Sequence, residues 1–246
     1  MPFAARLDEA ARLERAQAAQ HGAGVELGEL EAEIGQRGPA EALDGGQHGD
    51  LSVGEPSHHD SMRGARRRQD PEAAAILYAV PTGLALVETV VARAWARDSQ
   101  VHGELHWRCV TASGLALADE TGADADVVFL FGLLHDTRRE NDAFDPGHGP
   151  RAAAFARELH AEGLVLLEPA RLDLLCTAIE LHTRGETSDD PTVGTCWDAD
   201  RLHLPRCGID VDVALLSTAM ARRDGRVEAA AALREAPPPW SELLRR

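Results

Sequence analysis

The stretch VVFLFGLLHD, residues 127–136, runs apolar or small for eight positions and then places an imidazole beside a carboxylate. A segment apolar on every side has no face to give to water, so it belongs in the middle of a core. Asp124 or Asp126 just ahead of it is a suitable N-cap, which makes the segment a buried helix. His135 and Asp136 then sit at the edge of that core, where two unpaired polar groups are costly to bury. A metal ion offsets the cost and takes this mixture of N and O donors. The plainer reading is a helix end, with the histidine favoured by the dipole and the aspartate capping the turn.

Outward from this stretch the chain keeps a helical texture. Leu84, Leu86, Val87, Val90, Val91, Ala94 and Trp95 recur at helical spacing, and a second helix is expected over about 101–117, with Leu105, Cys109, Ala112, Leu115 and Ala116 inward. TRRENDAFDPGHGP is rich in turn formers and reads as a loop. Pro150 suits the start of a fourth helix ending near Gly163, and a fifth covers about 169–182. TRGETSDDPTVGT reads as another loop, and further helices are expected over about 197–204, 211–222 and 227–234. No alternating strand pattern and no internal repeat stands out. The expected fold class is all-α, with a helical domain over 81–235 and a C-terminal tail over 236–246.

Residues 1–75 differ. They are rich in Gly, Gln, Glu and Ala and lack a sustained apolar stripe, so ordering them would cost more entropy than their burial returns. Two readings stay open: a disordered or loosely helical extension, and an overextended gene start with initiation near Met62.

Composition excludes several function classes. Among 246 residues, Asp plus Glu number 41 against 25 basic residues, a formal charge of −16 that disfavours broad nucleic-acid binding. Every basic residue is Arg. Without Lys there is no Schiff-base chemistry on Lys and no Walker-type phosphate loop, so phosphate handling would fall to Arg, backbone N–H groups or a metal. Mean hydropathy is −0.26, and no run approaches the ~20 apolar residues of a membrane span. The first residues lack the apolar core of a signal peptide, so a cytoplasmic protein is expected. Cys109, Cys176, Cys196 and Cys207 form no CxxC pair and read as free thiols.

The order HWRCV around His106, then LFGLLHDTRRE with His135 and Asp136, then DADRL with Asp200, resembles the HD-domain phosphohydrolase superfamily. The resemblance spans roughly residues 87–220 and none of the first 75. It implies an HD-type helical bundle that holds metal between helices and hydrolyses phosphoester or phosphoanhydride bonds of a small phosphorylated substrate. Carried over by position, it implies metal ligation by His106, His135, Asp136 and Asp200, with His135 and Asp136 also catalytic. His102 and Asp198 are the rivals of His106 and Asp200, and Asp198 suits a cap or hydrogen-bond partner.

In two-metal members, further histidines between the HD pair and the last aspartate bind the second ion. His148 and His182 resemble that pattern, against the readings of a loop histidine and a helix-end histidine. His160 and His203 read as surface or boundary residues. Arg138 and Arg139 follow the HD pair and are candidate substrate-phosphate clamps, with a solvated charge pair as the alternative. Arg201 is expected to buttress the Asp200 turn.

The expected cofactor is one or two divalent ions among Mn, Fe, Co, Ni, Zn and Mg, acting by lowering the pKa of bound water. A non-catalytic ligand-binding module and a di-iron oxygenase on the same scaffold are the alternatives.

The contrast between residues 1–75 and the rest generates a prediction. A chain beginning at residue 76 is expected to melt in one cooperative transition and to bind the same amount of metal as the full chain. Loss of the transition by calorimetry would place residues 1–75 within the fold.

Overall fold

A computed structural model of the protein describes residues 80–246, with side chains from residue 83 onward. The extension over residues 1–75 therefore lies outside the described residues. Those residues are all-α, without a strand: α1 Val80–Arg93, α2 Glu104–Thr121, α3 Ala125–Leu134, α4 His148–Ala161, α5 Pro169–Leu181, α6 Pro191–Arg201, α7 Arg226–Glu235 and α8 Trp240–Leu243, with short 3-10 turns at Leu204–Cys207 and Val213–Leu215.

The 127–136 stretch is the centre of the bundle. Every residue from Val127 to Leu134 is buried, and α3 touches α1, α2, α4, α5 and α6. Asp124 caps it, accepting from the N–H groups of Asp126 at 3.1 Å and Val127 at 3.2 Å. Arg171 of α5 grips the same carboxylate through Nε and Nη2 at 2.6 and 2.5 Å and reaches Asp126 at 2.8 Å. One side chain thus fixes the start of α3 and ties it to α5.

Two glycines allow the close helix approaches that shape the far end of α3. A Cβ on Gly132 would lie 2.8 Å from the Thr111 backbone, so only glycine lets α3 lie this close to α2. A Cβ on Gly149 would lie 2.9 Å from the carbonyl oxygens of Ile179 and Glu180, which sets the distance between α4 and α5.

Element boundaries depart from the sequence expectation where side chains compete with helix propensity. The sixth helix begins at Pro191 rather than near residue 197, because Asp190 caps it through the N–H groups of Thr192 and Val193 and Pro191 fits the first turn. The helix expected over 211–222 does not form. Asp198 instead accepts from the N–H groups of Ser217 at 2.6 Å and Thr218 at 2.7 Å, holding that segment as a 3-10 turn and loops. Beyond residue 235 the chain turns back at Pro237 to Pro239, and buried Trp240 and Leu243 of α8 join the core. Trp95 lies past the end of α1 and is 57% exposed, and Leu105 is 38% exposed, so neither joins the core. Among the described residues, no helix is long and apolar enough to cross a membrane.

The Asp124–Arg171 contact generates a stability prediction. Burial by itself would raise the Asp124 carboxyl, but Arg171 and the capped N–H groups outweigh it and hold the carboxyl below its ordinary value. Its contribution is therefore complete above the unfolded carboxylate pKa and fades as pH falls through the lower folded value. Asp124→Ala is expected to cost about 1–2 kcal/mol at neutral pH, with the deficit shrinking in acid. Urea denaturation of both proteins across pH checks it.

Candidate metal centre

His135 and Asp136 follow the last turn of α3, and the remaining candidates arrive from four other elements. His106 projects from the first turn of α2, His148 opens α4, His182 closes α5, and Asp200 lies in the last turn of α6. His106, His135, His148 and His182 are all buried, as is Asp136. The structure groups them as two trios whose ligand atoms lie within 4.8 Å of one another: His106, His135 and Asp200, and Asp136, His148 and His182.

Asp136 lies between the trios. Its Oδ2 is 3.7 Å from His106 Nε2 and 3.6 Å from His135 Nε2. Its Oδ1 is 3.2 Å from His148 Nε2 and 3.8 Å from His182 Nε2. Each oxygen thus faces a pair of imidazoles. Within the first trio, His106 Nε2 is 3.2 Å from both His135 Nε2 and Asp200 Oδ1. Donors about 2.1 Å from a shared ion stand about 3.0–3.4 Å apart in octahedral or tetrahedral arrangements. The 3.2 Å separations fit the edges of such polyhedra, while His135 Nε2 and Asp200 Oδ1 stand wider apart at 3.8 Å.

The tautomers strengthen this fit. His148 Nδ1 lies 2.5 Å from Asp145 O, and His182 Nδ1 lies 2.6 Å from Ile179 O. A carbonyl only accepts, so each Nδ1 carries a proton and Nε2 is the atom turned inward. The two Nε2 atoms face each other at 2.9 Å beside an Asp136 oxygen. Two imidazole nitrogens and a carboxylate oxygen this close need a proton or a cation among them, and a metal ion meets that need. In the first trio His135 Nδ1 is held in the same way by Phe131 O and Gly132 O, both at 3.2 Å, and Asp200 Oδ1 is buried without a hydrogen-bond partner.

The surroundings favour neutral rings and ionised carboxylates. Burial pushes His106 and His102 well below the ordinary imidazole value and lowers His135 and His148. Burial alone would raise Asp136, but Arg139 with His135, His102 and His148 holds it well below the usual carboxylate range. Burial opposes ionisation of Asp200 as well, and His106 and Arg206 overcome it. These are the protonation states that metal ligation requires.

The two arginines after the HD pair separate. Arg139 Nε donates to Asp136 Oδ1 at 3.0 Å, and the side chain lines the cavity above the trios. Arg138 does not reach that cavity: its guanidinium stacks 3.6 Å from the centre of the Phe155 ring and donates to Arg93 O, so the clamp expected of it is replaced by a packing role. Arg201 donates to Glu186 O and Leu215 O and lies over Trp197, tying loops together. Asp198 is the hydrogen-bond partner expected of it.

Sequence reading missed Arg206 and His203. Arg206 Nη2 is 3.6 Å from Asp200 Oδ1, while its other nitrogens donate to Val101 O and His203 O. His203 is buried rather than superficial, 3.0 Å from Ser113 Oγ, and burial pushes it down to about 4. Neither has a spacing signal, because both act across the fold.

A cavity of about 420 Å³ opens above the trios, reached by Asp136, Arg139, His148, His182, Asp200 and Arg206. A second hollow of about 520 Å³ beside α7, walled by alanines, leucines and prolines together with Ser113, Arg226, Glu242 and Arg246, holds none of the clustered imidazoles. Comparisons with protein-family models, curated proteins and solved structures return no match to this chain.

Two bound ions per chain are expected by elemental analysis after metal loading. His148→Ala and His182→Ala are expected to retain about one ion, and Asp136→Ala to weaken both sites because its oxygens face both. An unchanged ion count in all three variants would overturn the assignment.

Proposed function

We propose that this chain is a metal-dependent phosphohydrolase of the HD type that cleaves a phosphoester or phosphoanhydride bond in a small, nucleotide-like molecule. The observation that carries the reading is the charge balance around the two trios. Arg139 pairs with Asp136 and Arg206 stands 3.6 Å from Asp200, so part of the carboxylate charge is already compensated. Positive charge placed among the imidazoles is then left for an anionic substrate, and phosphate fits that demand. The ligand order His106, His135, Asp136, His148, His182 and Asp200 also matches the pattern that the HD resemblance implies.

A divalent cation supplies Lewis acidity toward a phosphoryl oxygen and lowers the pKa of water toward ~7. The chain supplies the rest. Asp136 spans the two trios and fixes their separation. His135 is aimed by two backbone carbonyls, so its Nε2 stays a lone-pair donor. Arg139 donates to Asp136 and to Ala143 O at 3.2 Å and lines the cavity, where its fixed positive charge favours a phosphate and the charge that develops as the leaving bond breaks.

The test is phosphate release from nucleotides, cyclic nucleotides and sugar phosphates by protein loaded in turn with Mn, Fe, Co, Ni, Zn and Mg. Turnover with at least one metal is expected, abolished by chelation and restored by re-addition. Arg139→Ala is expected to lower kcat/KM about 10²–10³-fold with metal content retained. No phosphate release from fully loaded protein would overturn the reading, and oxygen consumption by the iron form would favour an oxygenase.

A further inference from the structure

The cavity above the trios is charged unevenly, and the unevenness bears on the organic part of the substrate. At its floor each carboxylate has a basic partner: Arg139 for Asp136, Arg206 for Asp200, and Arg151 for Asp145 at 2.6 Å. Two further carboxylates line the same cavity from the loop after the Leu204–Cys207 turn, Asp210 and Asp212. Both are exposed, and among the described residues neither has a basic side chain within ion-pair distance. Arg201, which also lines the cavity, is committed to the carbonyl oxygens of Glu186 and Leu215. Asp212 is held in place because its Oδ1 accepts from Ala214 N at 2.9 Å. Phe144, Leu204, Ile209 and Val211 supply apolar wall to the same cavity.

His102 also lines the cavity and is only 4% exposed, with its Nδ1 turned to within 3.9 Å of Asp142 Oδ1. A concave hollow of about 420 Å³ with an apolar wall and a few polar groups has the make-up of a ligand site.

We infer that the cavity selects phosphomonoesters whose organic part is neutral or cationic, and disfavours substrates that carry a second anionic group. The inference rests on the phosphohydrolase reading for the identity of the reacting group, while the distal preference rests on Asp210 and Asp212. One phosphate engages the cationic floor, and an apolar stem lies along the wall. The distal end then meets two uncompensated carboxylates, which attract an ammonium and repel a carboxylate or further phosphate. A formal charge of −16 over the whole chain adds to the repulsion of polyanions.

The probes are pentyl phosphonates ending in ammonium, hydroxyl or carboxylate, titrated calorimetrically into metal-loaded protein, with the matching pentyl phosphates assayed for turnover. The ammonium and hydroxyl phosphonates are expected to bind at least about tenfold more tightly than the carboxylate, as one like-charge contact at a partly solvated rim implies. Asp210→Asn with Asp212→Asn preserves the Asp212 turn, since Asn caps as well as Asp, and is expected to reduce the gap at least about threefold. Raising salt is expected to narrow the gap in the wild type more than in the double variant. Equal or tighter binding of the carboxylate probe, a gap untouched by the double variant, or no binding of any probe would overturn the inference. If the charge preference holds in binding but none of the pentyl phosphates turns over, the inference stands as a ligand preference, and the phosphohydrolase reading is decided separately by the nucleotide and sugar-phosphate panel.

Discussion

Asp136 carries the constraint on which the centre depends. Its two carboxylate oxygens face opposite ways, one toward His106 and His135 and the other toward His148 and His182. An ionised carboxylate this deeply buried is tolerable only when every direction offers compensation. Arg139 supplies part of it, and cation-ready imidazoles face the remainder. The helix that delivers Asp136 is therefore apolar from Val127 to Leu134, so that the single polar junction at its end is placed by the packing of the entire core.

The ligands come from helix ends rather than helix faces, and this has a packing logic. A helix terminus ends the main-chain hydrogen-bond ladder, so carbonyls there are free to accept from side chains. His135 and His182 use such carbonyls from their own preceding turns, and His148 uses one from the loop before α4. Each contact fixes a ring orientation and leaves Nε2 pointing inward. The close approaches at Gly132 and Gly149 bring the ends together, because a side chain at either position would push one helix of the pair away.

The outer part of the site is arranged differently from its floor. Arg139 and Arg151, which compensate charge at the floor, stand just after α3 and on α4, and Arg206 stands on the Leu204–Cys207 turn, whereas Asp210 and Asp212 stand exposed on the loop that follows it. That division separates positioning of the reacting group, which needs rigidity, from discrimination among organic parts, which a loop can tune.

The apolar run into His135-Asp136 determined the most on its own. It required a buried central helix because no face of it suits water, and it required compensation for the two polar residues at its end. A cap at Asp124 or Asp126 was legible from residue type, whereas the pairing of His106 and Asp200 with that junction came only from the family resemblance. The start of the sixth helix and the absence of a helix over 211–222 were not, because Asp190 and Asp198 decide them by gripping particular N–H groups, and local propensity does not reveal which groups a carboxylate reaches. The different fates of Arg138 and Arg139 lay beyond the sequence for a related reason: adjacent residues beyond a helix end point in different directions, and only the packed Phe155 ring and Asp136 decide which guanidinium faces the cavity. Arg206 and the buried His203 have no motif at all. Their roles arise where the Leu204–Cys207 turn packs against α2 and the Val101 carbonyl, and such long-range contacts exist only once the chain has closed its core.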